Sequence, residues 1–308
     1  MLNNKKFAMG FICIGIVAIV AAVFVSAFNP KTYSTDVPAE LDEAVALSIF
    51  AREHVSPSDV TIDGKTYRYA AVGGSKSFFG SECMGESHMV LGFSKNDSHV
   101  EVYALCGYSG YGFVNGILVD NTGASCVPTL IQFDVKDGRY IFKDAQEAKD
   151  GGQFVPSVRN MFPAALAKKA IDAPTDSELT DSMLRQCEAY AEAYLKVIGI
   201  EAKISSFADD DFKLLSDFGV SSEVENALYE LHPEYGLYVG NFENIEDGVR
   251  YVYSQEWKAG DEEGSGTVVY TKTDYKTGKA AQKFTYKVKG SEFEEVKPKS
   301  KTKSNKKK

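Results

Sequence analysis

The chain has 308 residues and a formal net charge of −9; 44% of it is hydrophobic and 12% aromatic, enough for packed cores and too much for a disordered chain. Residues 1–27 hold two lysines and no acid, and residues 297–308 hold seven lysines and no acid. The stretch between them carries 25 Lys and Arg against 43 Asp and Glu, a balance of −18, which argues against nucleic acid as a partner because phosphate binding needs a basic face.

The first predicted element is apolar. Residues 7–28 (FAMGFICIGIVAIVAAVFVSAF) are uncharged, and a helix of roughly 20 residues spans a ~30 Å hydrocarbon core. Lys5 and Lys6 precede it and favour an N-inside orientation, which places the body outside the cytoplasm. The expectation is a single-pass anchor over residues 7–27. The alternative is a secreted protein, cleaved near Ala27 after the small residues Val25-Ser26-Ala27. The opposite end, VKPKSKTKSNKKK, has no apolar residue after Val296 and reads as a disordered tail suited to an anionic wall polymer or lipid headgroups, or as a solubilising terminus.

Between these ends the pattern predicts a helix over 36–54, with Asp36 as cap, Pro38 in the first turn and Leu41, Val45 and Ile49 on one face. A strand follows at 67–72. A hairpin pairs 89–93 with 100–106 through Lys95-Asn96-Asp97-Ser98, and another pairs 130–135 with 139–142 around Asp137-Gly138. The Gly- and Tyr-rich stretch 107–121 lies between them, with Asn115-Gly116 as a tight turn. Two short helical pieces meet at Phe162-Pro163. The strongest helix runs from Thr175, which forms a capping box with Glu178, to Ile198, ending at Gly199. Leu179, Met183, Cys187, Tyr190, Tyr194 and Ile198 form its core face. A helix at 221–231 precedes four strands at 235–240, 249–256, 266–274 and 280–289, with Asp247-Gly248 and Thr277-Gly278 in their connections. Sequential hairpins without βαβ repeats predict an α+β fold of antiparallel sheets with flanking helices behind one N-terminal transmembrane helix. The expected divisions are an anchor at 1–30, an α+β domain at 31–204, a smaller helix-plus-sheet domain at 205–295 and the tail at 296–308.

The chemistry is sparse. Four cysteines outside the leader, Cys83, Cys106, Cys126 and Cys187, allow either two disulfides or buried thiols, and no CxxC pair supports a zinc knuckle. None of the four histidines lies in HExxH. Lys276-Thr277-Gly278 repeats a triplet of penicillin-recognising enzymes, but the only SxxK is Ser300 to Lys303 in the tail. Asp209-Asp210-Asp211 lacks the glycine and alternation of a calcium loop. There is no GxSxG or P-loop, so no cofactor or metal is expected. Two features remain. Glu86 and His88 share one face of a possible strand near Cys83, as two ligands, as an acid/base pair, or as a partly buried histidine hydrogen-bonded near a strand start. Tyr103, Tyr108, Tyr111 and Phe113, with Phe78 and Phe79, cluster around glycine-rich loops and form a candidate recognition surface, or else pack within a sheet.

The run Glu82-Cys83-Met84-Gly85-Glu86-Ser87-His88-Met89-Val90-Leu91-Gly92 with Val102-Tyr103-Ala104-Leu105, then Val127-Pro128-Thr129, Asp150-Gly151 to Arg159, Phe162-Pro163 and Asp247 to Tyr253, resembles the extracytoplasmic C-terminal portion of BlaR/MecR-type, zinc-peptidase-associated sensor-transducers of Firmicutes. The likeness covers about residues 36–290. It implies a membrane-tethered sensor-like or ligand-binding ectodomain; the candidate binding residues, Glu86, His88, Tyr103, Tyr108 and Tyr111, come from the residue patterns above. The chain departs from that family in having one span, no HExxH and no acylable serine motif, so no catalytic residue is carried over. The expectation is a non-enzymatic binding protein with an unknown protein partner. The alternatives are an envelope hydrolase using Cys83, Glu86 and His88, and a structural wall-associated protein.

Overall fold

The computed structural model describes residues 32–72, 80–206 and 212–297. The expected span at 7–28, Phe78, Phe79, Asp209 to Asp211 and the tail from residue 298 lie outside the described residues. Among the described residues no helix is long and apolar enough to cross a membrane. The class is α+β, with mostly antiparallel sheets and, among the described residues, one short parallel pairing.

In chain order the elements are α1 (Ala39–Arg52), β1 (Ser58–Ile62), β2 (Lys65–Tyr69), β3 (Cys83–Lys95), β4 (His99–Val114), β5 (Ile117–Lys136), β6 (Arg139–Glu147), α2 (Phe154–Met161), α3 (Ala164–Asp172), α4 (Ser177–Ile198), β7 (Ile204–Ser206), α5 (Ser222–Leu231) and β8 to β12 (Gly240–Glu246, Val249–Ala259, Gly266–Asp274, Ala280–Lys289, Glu292–Glu295). Two compact units share this chain discontinuously: one is Met1–Leu41, Val90–Ala104 and Pro128–Asp172, the other Asp42–Met89, Leu105–Val127 and Ala173–Lys308. The boundary expected at 204/205 falls inside the second unit.

The first unit joins β5 to β6 in a hairpin from Thr129↔Glu147 to Lys136↔Arg139. Its turn, Asp137-Gly138, has φ of 51° and 74°, the left-handed values that a two-residue hairpin turn demands. Val100, Val102 and Ala104 share one face of β4 and are buried, and Tyr103 on the opposite face is buried as well. Phe162 packs on the Tyr103 side, its ring centroid 5.6 Å from that of Tyr103. Pro163 separates α2 from α3, as its ring dictates.

The second unit orders its strands β12-β11-β10-β9-β8-β4-β5, with β7 parallel to β5 at Leu118↔Ile204. β4 meets β8 only at Val114↔Phe242. The turns Asp63-Gly64, Asn115-Gly116 and Asp247-Gly248 repeat the paired positive φ values. Helix α4 buries Met183, Cys187, Ala191, Ala193, Tyr194 and Leu195 and ends at Gly199 in the left-handed region. Its cap is Asp176 rather than the expected Thr175: the Asp176 carboxylate accepts the Leu179 N–H at 3.1 Å. The strand expected at 235–240 lies later, at β8, because Pro233–Tyr235 forms a 3-10 turn after α5.

Candidate functional site

The stretch 107–114 is strand rather than loop, and this corrects the expected aromatic surface. β4 runs unbroken to Val114, so its aromatics face the interior: Tyr103 is 0%, Tyr111 1% and Phe113 2% exposed, and only Tyr108 is half-buried. Glycine serves close approach here. A Cβ on Gly112 would sit 1.8 Å from the Gly80 carbonyl oxygen. Tyr103 donates its hydroxyl to Glu101 Oε2 at 2.9 Å inside the first unit. Tyr111 packs with Cys83, Cys187 and Leu118 in a core of the second, where burial pushes its hydroxyl above the ordinary tyrosine range.

Glu86 and His88 are brought together. They stand two residues apart on β3, so the pleat points both the same way. His88 Nδ1 donates to Glu86 Oε2 at 2.9 Å, and His88 Nε2 lies 3.3 Å from Asp42 Oδ1 on α1. Tyr190 on α4 donates to Glu86 Oε1 at 2.8 Å, and the His88 backbone N–H donates to Gln186 Oε1 at 3.1 Å. Burial disfavours the imidazolium, but the carboxylates of Glu86 and Asp42 outweigh it, and His88 titrates above the usual histidine range. Both Glu86 oxygens and both His88 ring nitrogens therefore already face partners. Cys83 is not among them. It is fully buried in the Tyr111 core, and burial followed by the neighbouring Glu82 charge pushes its thiol well up, opposite to what a nucleophile requires. The four cysteines of the body are free and buried, which settles the open alternative in favour of thiols; burial pushes Cys187 to about 12.

Above Glu86 lies an open groove of about 470 Å³ between β2 and α4, lined among others by Thr66, Tyr67, Gln186, Tyr190 and Lys196. Lys65 and Lys196 bring their ammonium groups 5.1 Å and 5.6 Å from the Tyr67 ring centroid. Arg68, at the groove's edge, is held by Glu43 at 2.6 Å and Asp59 at 2.8 Å. Its hydrogen bond holds the Asp59 carboxyl below the usual carboxylate range.

A second charged cluster went unread in the sequence. Arg250 on β9 donates to Glu82 Oε2 at 2.6 Å and to Glu243 at 2.8 Å, and lies 5.4 Å from the ring centroids of Phe113 and Tyr275. Tyr194 donates to the same Glu82 oxygen at 2.8 Å, while Glu82 Oε1 is buried without a hydrogen-bond partner among the described residues. Burial pushes the Glu82 carboxyl up, and Arg250 and Tyr194 offset this only in part. Among the described residues no group of three or more His, Cys, Asp or Glu side chains could hold a metal ion. No protein-family model, curated protein or solved structure matches the chain.

Proposed function

We propose that this chain is a non-enzymatic, sensor-like ligand-binding ectodomain, held to the outer face of a membrane by residues 7–27, and that the groove over Glu86 receives its ligand. One observation carries the reading. The groups able to do acid/base work, Glu86 and His88, are spent on each other, on Asp42 and on Tyr190. The groove nevertheless presents an aromatic face and two lysines, the makings of a recognition site fixed by a few polar groups. The likeness to the sensor-transducer ectodomains points the same way.

Amide NMR of the full chain in lipid nanodiscs, titrated with soluble fragments from a digested cell envelope, tests the site. The expected result is saturable shifts confined to residues 65–68 and 186–196 that Tyr67→Ala abolishes. Shifts absent there, or turnover of the fragments, would overturn the proposal; turnover would favour the hydrolase reading. Fractionation without detergent tests the tether, and full release of a protein starting at Phe28 would refute it.

A further inference from the structure

The first unit holds a cleft of its own, of about 500 Å³, beside the turn that joins β3 to β4. Its floor is the buried pair Val100 and Phe133. Lys95, His99 and Lys143 converge on it, against a single carboxylate, Glu101, that already accepts the Tyr103 hydroxyl. Asp134, behind the lining, fixes the other groups: its Oδ1 lies 2.6 Å from His99 Nδ1 and 3.6 Å from Lys143 Nζ. Lys95 has no carboxylate partner among the described residues; its ammonium lies 5.8 Å from the Tyr140 ring centroid. Within the lining itself two lysines stand against one carboxylate, on a body that is strongly acidic. The cleft along α4 has the opposite balance, with Asp63, Glu188, Glu192 and Glu201 around Lys196.

We propose that the cleft at Lys95, His99 and Lys143 binds a phosphate-bearing ligand. The two ammonium groups supply charge-assisted hydrogen bonds. His99, oriented by Asp134 through Nδ1, offers its other ring nitrogen, and the apolar floor excludes water beneath. Phosphate chemistry reaches such a site from a soluble phosphate compound or from an anionic lipid headgroup. Thr32 also lines the cleft and follows residue 27 by five residues, a reach of at most ~18 Å of chain. Availability of headgroups rests on the proposed tether; phosphate binding does not.

The test uses the full chain in phosphatidylcholine nanodiscs and follows the amides of residues 95–99. One arm adds inorganic phosphate, and the other replaces part of the lipid with phosphatidylglycerol. The expected result is a saturable shift in at least one arm, weakened about tenfold or more by Lys95→Gln combined with Lys143→Gln. Both lysines are exposed, so the double variant keeps its fold, and an unchanged spectrum elsewhere verifies this. A response to phosphate alone assigns a soluble ligand, and a response to phosphatidylglycerol alone assigns a headgroup. No saturable shift in either arm, or equal affinity in the double variant, overturns the proposal. The groove at Tyr67 reports through other amides, so the two readings fail independently.

Discussion

His88 is clamped on both ring nitrogens by acids, and this makes it a stability reporter. Its folded pKa is raised, so the clamp stabilises fully below the unfolded value of about 6.5 and is lost as pH rises through the folded value. Urea unfolding should therefore show the native chain losing stability relative to His88→Gln as pH rises through the folded value. Parallel pH curves for the two proteins would refute the clamp. Arg250 is a harsher position. Removing it strands Glu82, whose side chain is 1% exposed. Arg250→Ala should cost about 3–5 kcal/mol in chemical denaturation, more than Glu82→Gln, because an unpaired buried charge is worse than a lost partner. At this scale the sequence was half legible. The i, i+2 spacing of Glu86 and His88 shows on the page, since a strand's pleat guarantees a common face. Asp42 sits on a separate helix, and Tyr190 lies 104 residues beyond Glu86 and belongs to a helical stripe that reads as plain core. Only tertiary folding reveals either as a partner.

At the scale of elements, the paired Asn-Gly and Asp-Gly turns and the α4 stripe were readable because each is a local rule. Misreadings came where tertiary packing overrode local cues. Glycine-rich composition suggests loop, yet β4 continues through Gly107, Gly110 and Gly112. At Gly112 the missing side chain is a packing requirement, since the Gly80 backbone occupies the space a Cβ would need. Gly112→Ala should cost about 2–4 kcal/mol, read as a lowered urea midpoint, whereas Gly116→Ala meets no clash, nothing lying within 4 Å of its Cβ position, and costs about 1 kcal/mol through its left-handed φ of 76°. Equal effects at the two sites would contradict this account. The α4 cap shows a finer limit: Thr175 and Asp176 both suit the role, and only backbone geometry chooses Asp176.

At the scale of the whole molecule, four buried thiols mean that the cores are held by packing rather than by cross-links. The described body should therefore melt at the same temperature with and without reductant. Mass spectrometry after alkylation should find Cys83, Cys106, Cys126 and Cys187 labelled only once the chain is unfolded; a disulfide among them would show as protected pairs and a reductant-sensitive melt. The outermost strand of the second unit's sheet has a consequence for solution behaviour. β12 is four residues long, and three of them, Glu292, Glu294 and Glu295, are glutamates. An open sheet edge is a template for pairing with another copy, and a short strand bristling with like charge makes a poor one. The acid residues there act as a guard against self-association. Light scattering should find the protein dispersed, and truncation before Glu292, which bares β11, should bring assembly; an unchanged particle size after truncation would refute the guard.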